Sequence, residues 1–158
     1  MIELLCSTIS SGKSTYANQK AEDGYIIIND DAIVNAVHGG NYKLYNKELK
    51  PLYKSIEDHI LHTAVAMNKN VIIDRGVNTT IKSRKRWVAL ANCLDTDIVA
   101  IRFPIWEPEV HAKLRTYSDS RGHDYEYWLM VANKHLKDWQ EPTIEEGFKQ
   151  IKIYEWKD

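Results

Sequence analysis

The chain has 158 residues, 44% of them hydrophobic, with 21 lysines and arginines against 22 aspartates and glutamates and a formal net charge of −1. That length suits one globular domain spanning 1–158, and the near-neutral charge excludes the strongly basic surface of an obligate nucleic-acid binder while leaving room for a local basic patch. No apolar run approaches the ~20 residues that cross a bilayer, and the amino terminus lacks a basic segment followed by a signal-type apolar core, so a soluble cytoplasmic protein without a membrane partner is expected.

The first element is Glu3 to Thr15, ELLCSTISSGKST, an apolar run that passes into a small-residue loop. It reads as a strand, a phosphate-cradling loop and the start of a helix. In such a loop successive backbone N–H groups turn inward around a phosphate chain, and the following helix points its positive end at the same place. Ser10, Ser11, Gly12, Lys13, Ser14 and Thr15 are the candidate nucleotide-binding residues. Gly12 allows close backbone approach, Lys13 bridges the outer phosphates, and the Ser14 hydroxyl helps to hold Mg²⁺ on the bound nucleotide. The usual spacing is G-x-x-x-x-G-K-[ST]. Here Ser7 stands where the first glycine is usual, and a side chain there resists backbone angles that glycine tolerates. The alternative is a serine-rich turn that caps a helix, with Lys13 solvated.

A first helix is expected from Lys13 to Ala21, stopped at Asp23-Gly24, where glycine takes the left-handed cap. Tyr25 to Ile28 reads as a second strand ending in Asn29, Asp30 and Asp31, polar residues at the carboxyl end of a strand, where ligands gather in an open α/β sheet. Asp30 is therefore a candidate catalytic and substrate-binding carboxylate. The competing reading makes Asp30 or Asp31 the N-cap of a helix from Ala32 to Val37, and both hold if one caps and the other faces the cleft. From His38 to Pro51 the pattern gives way to a turn at Gly39-Gly40 and to interleaved Tyr42, Lys43, Tyr45 and Lys47. Such a mixture stacks bases and meets phosphates, or forms a solvated loop with one or two tyrosines packed down. A long helix from about Leu52 to Lys69 follows, with Leu52, Ile56, Ile60 and Ala64 on one buried face, widened by Val65 and Met67. His59 and His62 have no metal-ligand spacing.

Val71, Ile72, Ile73 and Asp74 form an apolar run closed by an acid, which suits a central parallel strand buried on both faces. Asp74 there orients Mg²⁺ through water or binds a polar group in the cleft; the alternative is a turn cap. Arg75, Gly76, Val77 and Asn78 form the next loop, Arg75 being a candidate substrate contact. Thr79 or Thr80 caps a helix to about Leu94, whose basic start, Lys82 to Arg86, reads as an exposed face. Cys6 and Cys93, on an apolar strand and an apolar helix without CxxC spacing, read as buried, reduced core residues.

Asp97 to Phe103 is a fourth strand, and Pro108, between Glu107 and Glu109, opens a further helix. That helix carries Lys113 and Arg115 toward a polar break at Ser118, Asp119, Ser120, Arg121, Gly122 and His123. Arginines flanking a mobile break suit a lid, about residues 107–124, that closes over transferring phosphates, with Arg115 and Arg121 as candidate catalytic cations. A basic helix end favoured by its own dipole is the other reading of Arg115. Tyr125 to Trp139 is an aromatic-rich helix, and Ile151 to Tyr154 a last short strand.

Strands alternating with helices point to an α/β fold with a parallel sheet covered on both faces and a cleft at its carboxyl edge. The chain then resembles the P-loop kinases of the polynucleotide 5′-hydroxyl kinase type, the kinase half of bacteriophage and animal end-repair enzymes. The resemblance is carried by SSGKST, the strand ending in Asn29-Asp30-Asp31, the VIID strand with Asn78 four residues on, the Arg115 and Arg121 segment, and EPTIEEGF from Glu141 to Phe148. It implies a P-loop NTPase three-layer sandwich of about five parallel strands, order 2-3-1-4-5, with a helical lid. It also implies ATP and Mg²⁺ as cofactors, Lys13 and Ser14 on the phosphates and the metal, and Asp30 as general base on the acceptor hydroxyl. Asp74 matches the acceptor-site or metal-orienting carboxylate, and Arg121 the lid arginine.

The departures concern the acceptor. Ile33 stands where the phage enzyme has an acceptor-binding arginine, the lid arginines lie wider apart than in that enzyme, and no phosphatase domain follows. The reading is a kinase acting on the 5′-OH end of DNA or RNA. Its rivals are a small-molecule kinase of the same superfamily, acting on a nucleoside, nucleotide, sugar or modified base, and a non-catalytic nucleotide-binding module, which Ser7 favours and Asp30, Asp74 and Arg121 disfavour. The sequence carries no signal of an oligomeric state.

Overall fold

β1 (Ile2–Cys6) is buried along its whole length, as an apolar run must be when both faces of a sheet are covered. In the computed structural model, which describes residues 1–76, 78–119 and 121–155, it is followed by α1 (Lys13–Glu22), β2 (Ile26–Ile28), α2 (Asp30–Val37), α3 (Lys50–Ala66), β3 (Val71–Ile73), α4 (Ile81–Cys93), β4 (Ile98–Arg102), α5 (Pro108–Ser118), α6 (Tyr125–Asp138) and β5 (Gln150–Ile153). Of the expected loop residues, Val77 and Ser120 lie outside the described residues, as do 156–158. The sheet is wholly parallel, in the order β2-β3-β1-β4-β5 expected from the sequence, with Leu4 level with Ile73 on one side and Ala100 on the other. That register ends β1 and β3 together, so the loop after β1 and the acid after β3 meet.

Alternation along the strands builds two cores. Leu4, Cys6, Ile28 and Ile73 pack with Ile33 and Val34 of α2, Tyr53, Leu61 and Ala64 of α3, and Trp87 and Ala91 of α4. On the other face Leu5, Ile72, Val99, Ile101 and Phe103 meet Ala17 of α1. Glu3 is buried on that second face and is satisfied by the Tyr16 hydroxyl, which donates to Oε2 at 2.7 Å.

The structure departs from the sequence expectations at several helices. The buried stripe of α3 is Tyr53, Glu57, Leu61 and Ala64, whereas Leu52 and Met67 are 46% and 62% exposed. The expected Ile56, Ile60 and Val65 are partly buried and pack against the core beside Ala64, so the apolar pattern found most of the face and missed Glu57 at its centre. α2 begins at Asp30 and neither aspartate caps it: Asn29 does, its side chain accepting the Ala32 N–H at 2.9 Å. Both aspartates therefore lie in the first turn, at the positive end of the helix dipole. The segment after α2 holds two 3-10 turns, Tyr42–Leu44 and Lys47–Leu49, each opened by an asparagine cap. Cys6 is buried, which pushes its thiol up to about 12, but Cys93, the last residue of α4, is exposed.

At the basic start of α4 the expected exposed face holds for Lys82 and Lys85 but not for Arg84. Thr80 caps it with a capping box, and Arg84 is fully buried, its Nε and Nη2 each donating to the Glu146 carboxylate at 2.8 Å. Arg84 Nη1 also donates to the carbonyls of Asn78 at 3.1 Å and Gln140 at 2.9 Å. A buried guanidinium is tolerated only when paired and hydrogen-bonded, and here it ties the closing EPTIEEGF segment to α4. In that segment Gly147 takes φ +108°, with a Cβ position only 2.8 Å from Val88 Cγ1, so no other residue fits. Arg84→Met leaves the Glu146 carboxylate buried without its charge partner, kept only by the Thr143 N–H at 3.0 Å, and the free energy of unfolding in a urea titration should fall by about 3–5 kcal/mol. An unchanged midpoint and slope would show that the pair does not anchor the segment.

Candidate active site

The loop between β1 and α1 closes on its own lysine. Gly12 is the N-cap of α1 with φ 89°, a left-handed conformation that glycine takes without strain, and Ser10 takes φ 49°. Ser7 does not adopt a positive φ, so the serine in the usual glycine position meets no backbone penalty. It is buried, and its hydroxyl hydrogen-bonds the Ser11 hydroxyl across the base of the loop. Lys13 is 9% exposed and donates from Nζ to the Thr8 carbonyl at 2.5 Å. Burial pushes its ammonium down to about 8, against the opposing pull of the Asp74 charge.

Asp74 stands at the end of β3, 5% exposed. Its Oδ2 accepts from Ser14 Oγ at 3.0 Å and from Asn29 Nδ2 at 3.1 Å, and Asn29 also donates to the Asp74 carbonyl at 3.0 Å. Asn29 thus caps α2 with one end of its amide and orients Asp74 with the other, a double role the sequence pattern did not expose. Among the described residues no cluster of three or more histidine, cysteine, aspartate or glutamate side chains forms a metal cage. The Ser14 hydroxyl and Asp74 carboxylate are nonetheless hard oxygen donors side by side, which fits Mg²⁺, an ion that keeps several waters and takes phosphate oxygens.

A second cluster lies one residue further along both chain segments. Asp30 Oδ2 accepts from Arg75 Nε at 3.4 Å, and Asp31 Oδ2 from Arg121 Nη2 at 2.5 Å. Burial, then the neighbouring Asp31, raises the Asp30 carboxyl above its ordinary value, and Arg75 pulls it back. The Arg121 guanidinium also lies 4.1 Å from the centroid of the Tyr42 ring, the first in a column in which Tyr42 stacks on Tyr45 and Tyr45 on Tyr53. His38 closes the column, its Nε2 2.7 Å from the Tyr53 hydroxyl.

Arg115 and Arg121, the arginines expected of a lid, are therefore divided. Arg121 sits on the Asp30–Asp31 side, whereas Arg115 lies over the Trp128 ring at 4.8 Å, its positive charge among the influences that lower Lys13. The break between α5 and α6 is pinned by Asp119, whose carboxylate accepts from the Arg121 N–H at 2.9 Å, the His123 N–H at 2.8 Å and Trp128 Nε1 at 3.2 Å. The base of α5 is tied to the loop between β1 and α1 by His111, 2% exposed, whose Nε2 accepts the Trp106 N–H at 3.0 Å and lies 3.0 Å from Thr8 Oγ1. Neither His111 nor Glu57, which touches Arg75 from α3, stood out in the sequence, since each has the spacing of a core position.

A comparison with protein families matches residues 4–142 to the AAA domain. The chain belongs to this AAA domain family. No curated protein matches it in sequence. Among solved structures, a protein assigned as a kinase from Chloroflexus aurantiacus J-10-fl matches the AAA domain chain at 13% identity with a TM-score of 0.69, over 96% of this chain and 86% of that one. Kti12 from Chaetomium thermophilum, solved in complex with ADP–AlF3, matches at 16% identity and a TM-score of 0.60, over 100% and 90%. The Pnkp1/Rnl/Hen1 complex matches at 20% identity and a TM-score of 0.60, over 77% of this chain and 39% of that one. A gluconokinase from Sinorhizobium meliloti 1021 shares the fold as well, at 18% identity and a TM-score of 0.53, over 96% and 80%. The AAA domain chain therefore has a P-loop kinase-like fold. No helix among the described residues is long and apolar enough to cross a membrane.

The Asp31–Arg121 pair and the Tyr42 contact hold the segment after α5 against α2. Both groups of the pair are partly exposed, at 47% and 32%, so the pair is worth at most about 1 kcal/mol. Asp31→Asn should speed tryptic cleavage after Arg121 by up to about fivefold under native conditions. Unchanged cleavage would show that the pair does not hold the segment.

Proposed function

We propose that this chain is an ATP- and Mg²⁺-dependent kinase that moves the γ-phosphoryl group to a hydroxyl, with the 5′-OH end of DNA or RNA as acceptor. The observation that carries the reading is the adjoining pair of clusters, Lys13–Ser14–Asp74 and Asp30–Arg75, at the carboxyl ends of β1, β2 and β3. The first suits phosphates and the second suits a hydroxyl, and phosphoryl transfer needs both within one cleft.

In this reading the loop N–H groups from Ser10 to Thr15 and the Lys13 ammonium cradle the ATP phosphates. Ser14 and Asp74 would hold Mg²⁺, directly or through water, and the ion would offset charge on the β- and γ-phosphates. Asp30 takes the proton of the acceptor hydroxyl as that oxygen attacks the γ-phosphorus, while the bond to the β–γ bridging oxygen breaks and ADP leaves. A carboxylate kept partly from water binds a proton more readily than a free aspartate, which suits a general base. Arg75 steadies the acceptor beside Asp30. Arg115 and Arg121 meet the charge on the transferring group, Arg121 leaving Asp31 to do so. The Tyr42 face that now carries a guanidinium plane has the geometry on which a nucleobase stacks.

A small-molecule acceptor is the second reading, and Ile33 favours it. The side chain is 7% exposed in the core with Ile28 and Val34, so position 33 offers an acceptor no charge.

The test is transfer of γ-labelled phosphate from ATP in Mg²⁺ to 5′-OH DNA and RNA oligonucleotides, nucleosides, nucleoside monophosphates and gluconate. Labelled oligonucleotide ends are expected, with Lys13→Met abolishing transfer. Asp30→Asn should lower turnover by about 10²–10⁴ while leaving ATP affinity nearly intact. Labelling of small molecules alone would establish the second reading. ATP binding with no transfer would instead make the chain a nucleotide-binding module.

A further inference from the structure

Glu57 is the one carboxylate on the buried stripe of α3, 2% exposed. Its Oε2 accepts from Arg86 Nη1 at 2.7 Å, which satisfies one oxygen. The other, Oε1, lies 3.8 Å from Arg75 Nε, the same atom that donates to Asp30 Oδ2 at 3.4 Å. Arg75 is thus shared by its Nε edge between two carboxylates, and both distances exceed the roughly 2.7–2.9 Å of a strong charge-assisted bond. A guanidinium beside one carboxylate ordinarily turns to grip it with two parallel N–H groups. Arg75 is 40% exposed and has room to do so, yet among the described residues its Nη groups make no hydrogen bond.

We propose that Glu57 is a positioning residue for the acceptor carboxylate: held in place by Arg86, it draws Arg75 part-way off Asp30, so that Asp30 is left free to take the proton of the acceptor hydroxyl. This rests on Asp30 acting as the base. The charges that face Asp30 are Asp31 on its own helix, Arg75 from the loop after β3 and Glu57 from α3; Arg121 and Tyr42 meet Asp31 beside it. Of these, Asp31 and Glu57 favour protonation of Asp30 and Arg75 opposes it. Glu57→Gln removes a negative charge and also releases Arg75 to grip Asp30. The two effects act in one direction, toward a less basic Asp30.

The experiment is a ¹³C NMR titration of the Asp30 carboxyl in the full chain. The midpoint should move to lower pH in Glu57→Gln and to higher pH in Arg75→Gln, the opposite signs being the signature. Because Glu57→Gln leaves Arg86 with a weaker partner, Glu57→Gln/Arg86→Gln, which removes both members of that pair, provides a second route and should shift Asp30 the same way. An unmoved midpoint in the Glu57 variants would reduce Glu57 to a packing role. A rise would mean that Glu57 presses Arg75 onto Asp30, and would overturn the proposal. The titration needs no turnover, so a wild-type chain that labels no acceptor would sink the kinase reading and leave the Glu57 result standing on its own.

Discussion

The hydrogen bond from Ser14 Oγ to Asp74 Oδ2, at 3.0 Å, joins the first turn of α1 to the tip of β3, and it exists because those two strands are neighbours of equal reach. Residues 60 positions apart meet only if a crossover lays β3 beside β1 and the Val71 and Ile2 registers coincide. Everything else at the cleft hangs from this junction. Asn29 reaches Asp74 because β2 flanks β3 on the other side, and Asp30 and Arg75 come together as the next residues of the same two segments.

Around that junction the chain places charge where water is scarce. Lys13, Glu57, Asp74 and Arg84 are all nearly buried, and each would be costly alone. Arg84 is matched by a two-point grip on Glu146 and by backbone carbonyls, which is the pattern of a structural pair. Lys13 is matched only by a carbonyl and a nearby carboxylate, and it loses proton affinity as a result. The difference separates a guanidinium held at both ends by its partners from an ammonium with no carboxylate in hydrogen-bond contact. The arginines repeat the contrast, since Arg84 is saturated while Arg121 is tethered by an exposed pair that is cheap to break.

Much of the architecture was legible in the sequence because each strand is short, apolar and followed by polar residues. VIID could be placed as a central strand from four letters, and the sheet order followed from the resemblance built on such pieces. What was hidden were positions where a polar residue does the work of a core residue. Glu57 lies on the buried side of α3 beside the expected Ile56, Ile60 and Ala64, and Arg84 sits among lysines that are exposed. Asn29 was read as one polar residue of three, although its amide alone spans two elements. Ser7 raised a doubt about the loop that sequence could not resolve, because the answer lies in its φ, which stays outside the left-handed region. Nor does spacing say where a long side chain rests: of Arg115 and Arg121, six positions apart, the first lies over Trp128 and the second pairs with Asp31.

The central claim is that Ser14 and Asp74 form, with Lys13, a site for the phosphates of a Mg²⁺-bound nucleotide. Isothermal titration of ATP into the wild-type chain and into Asp74→Asn, each with and without Mg²⁺, tests it most directly. The account predicts that Mg²⁺ tightens ATP binding in the wild type and that this gain shrinks in Asp74→Asn. Equal ATP affinity with and without Mg²⁺ in the wild type, or the same gain in both proteins, would contradict it.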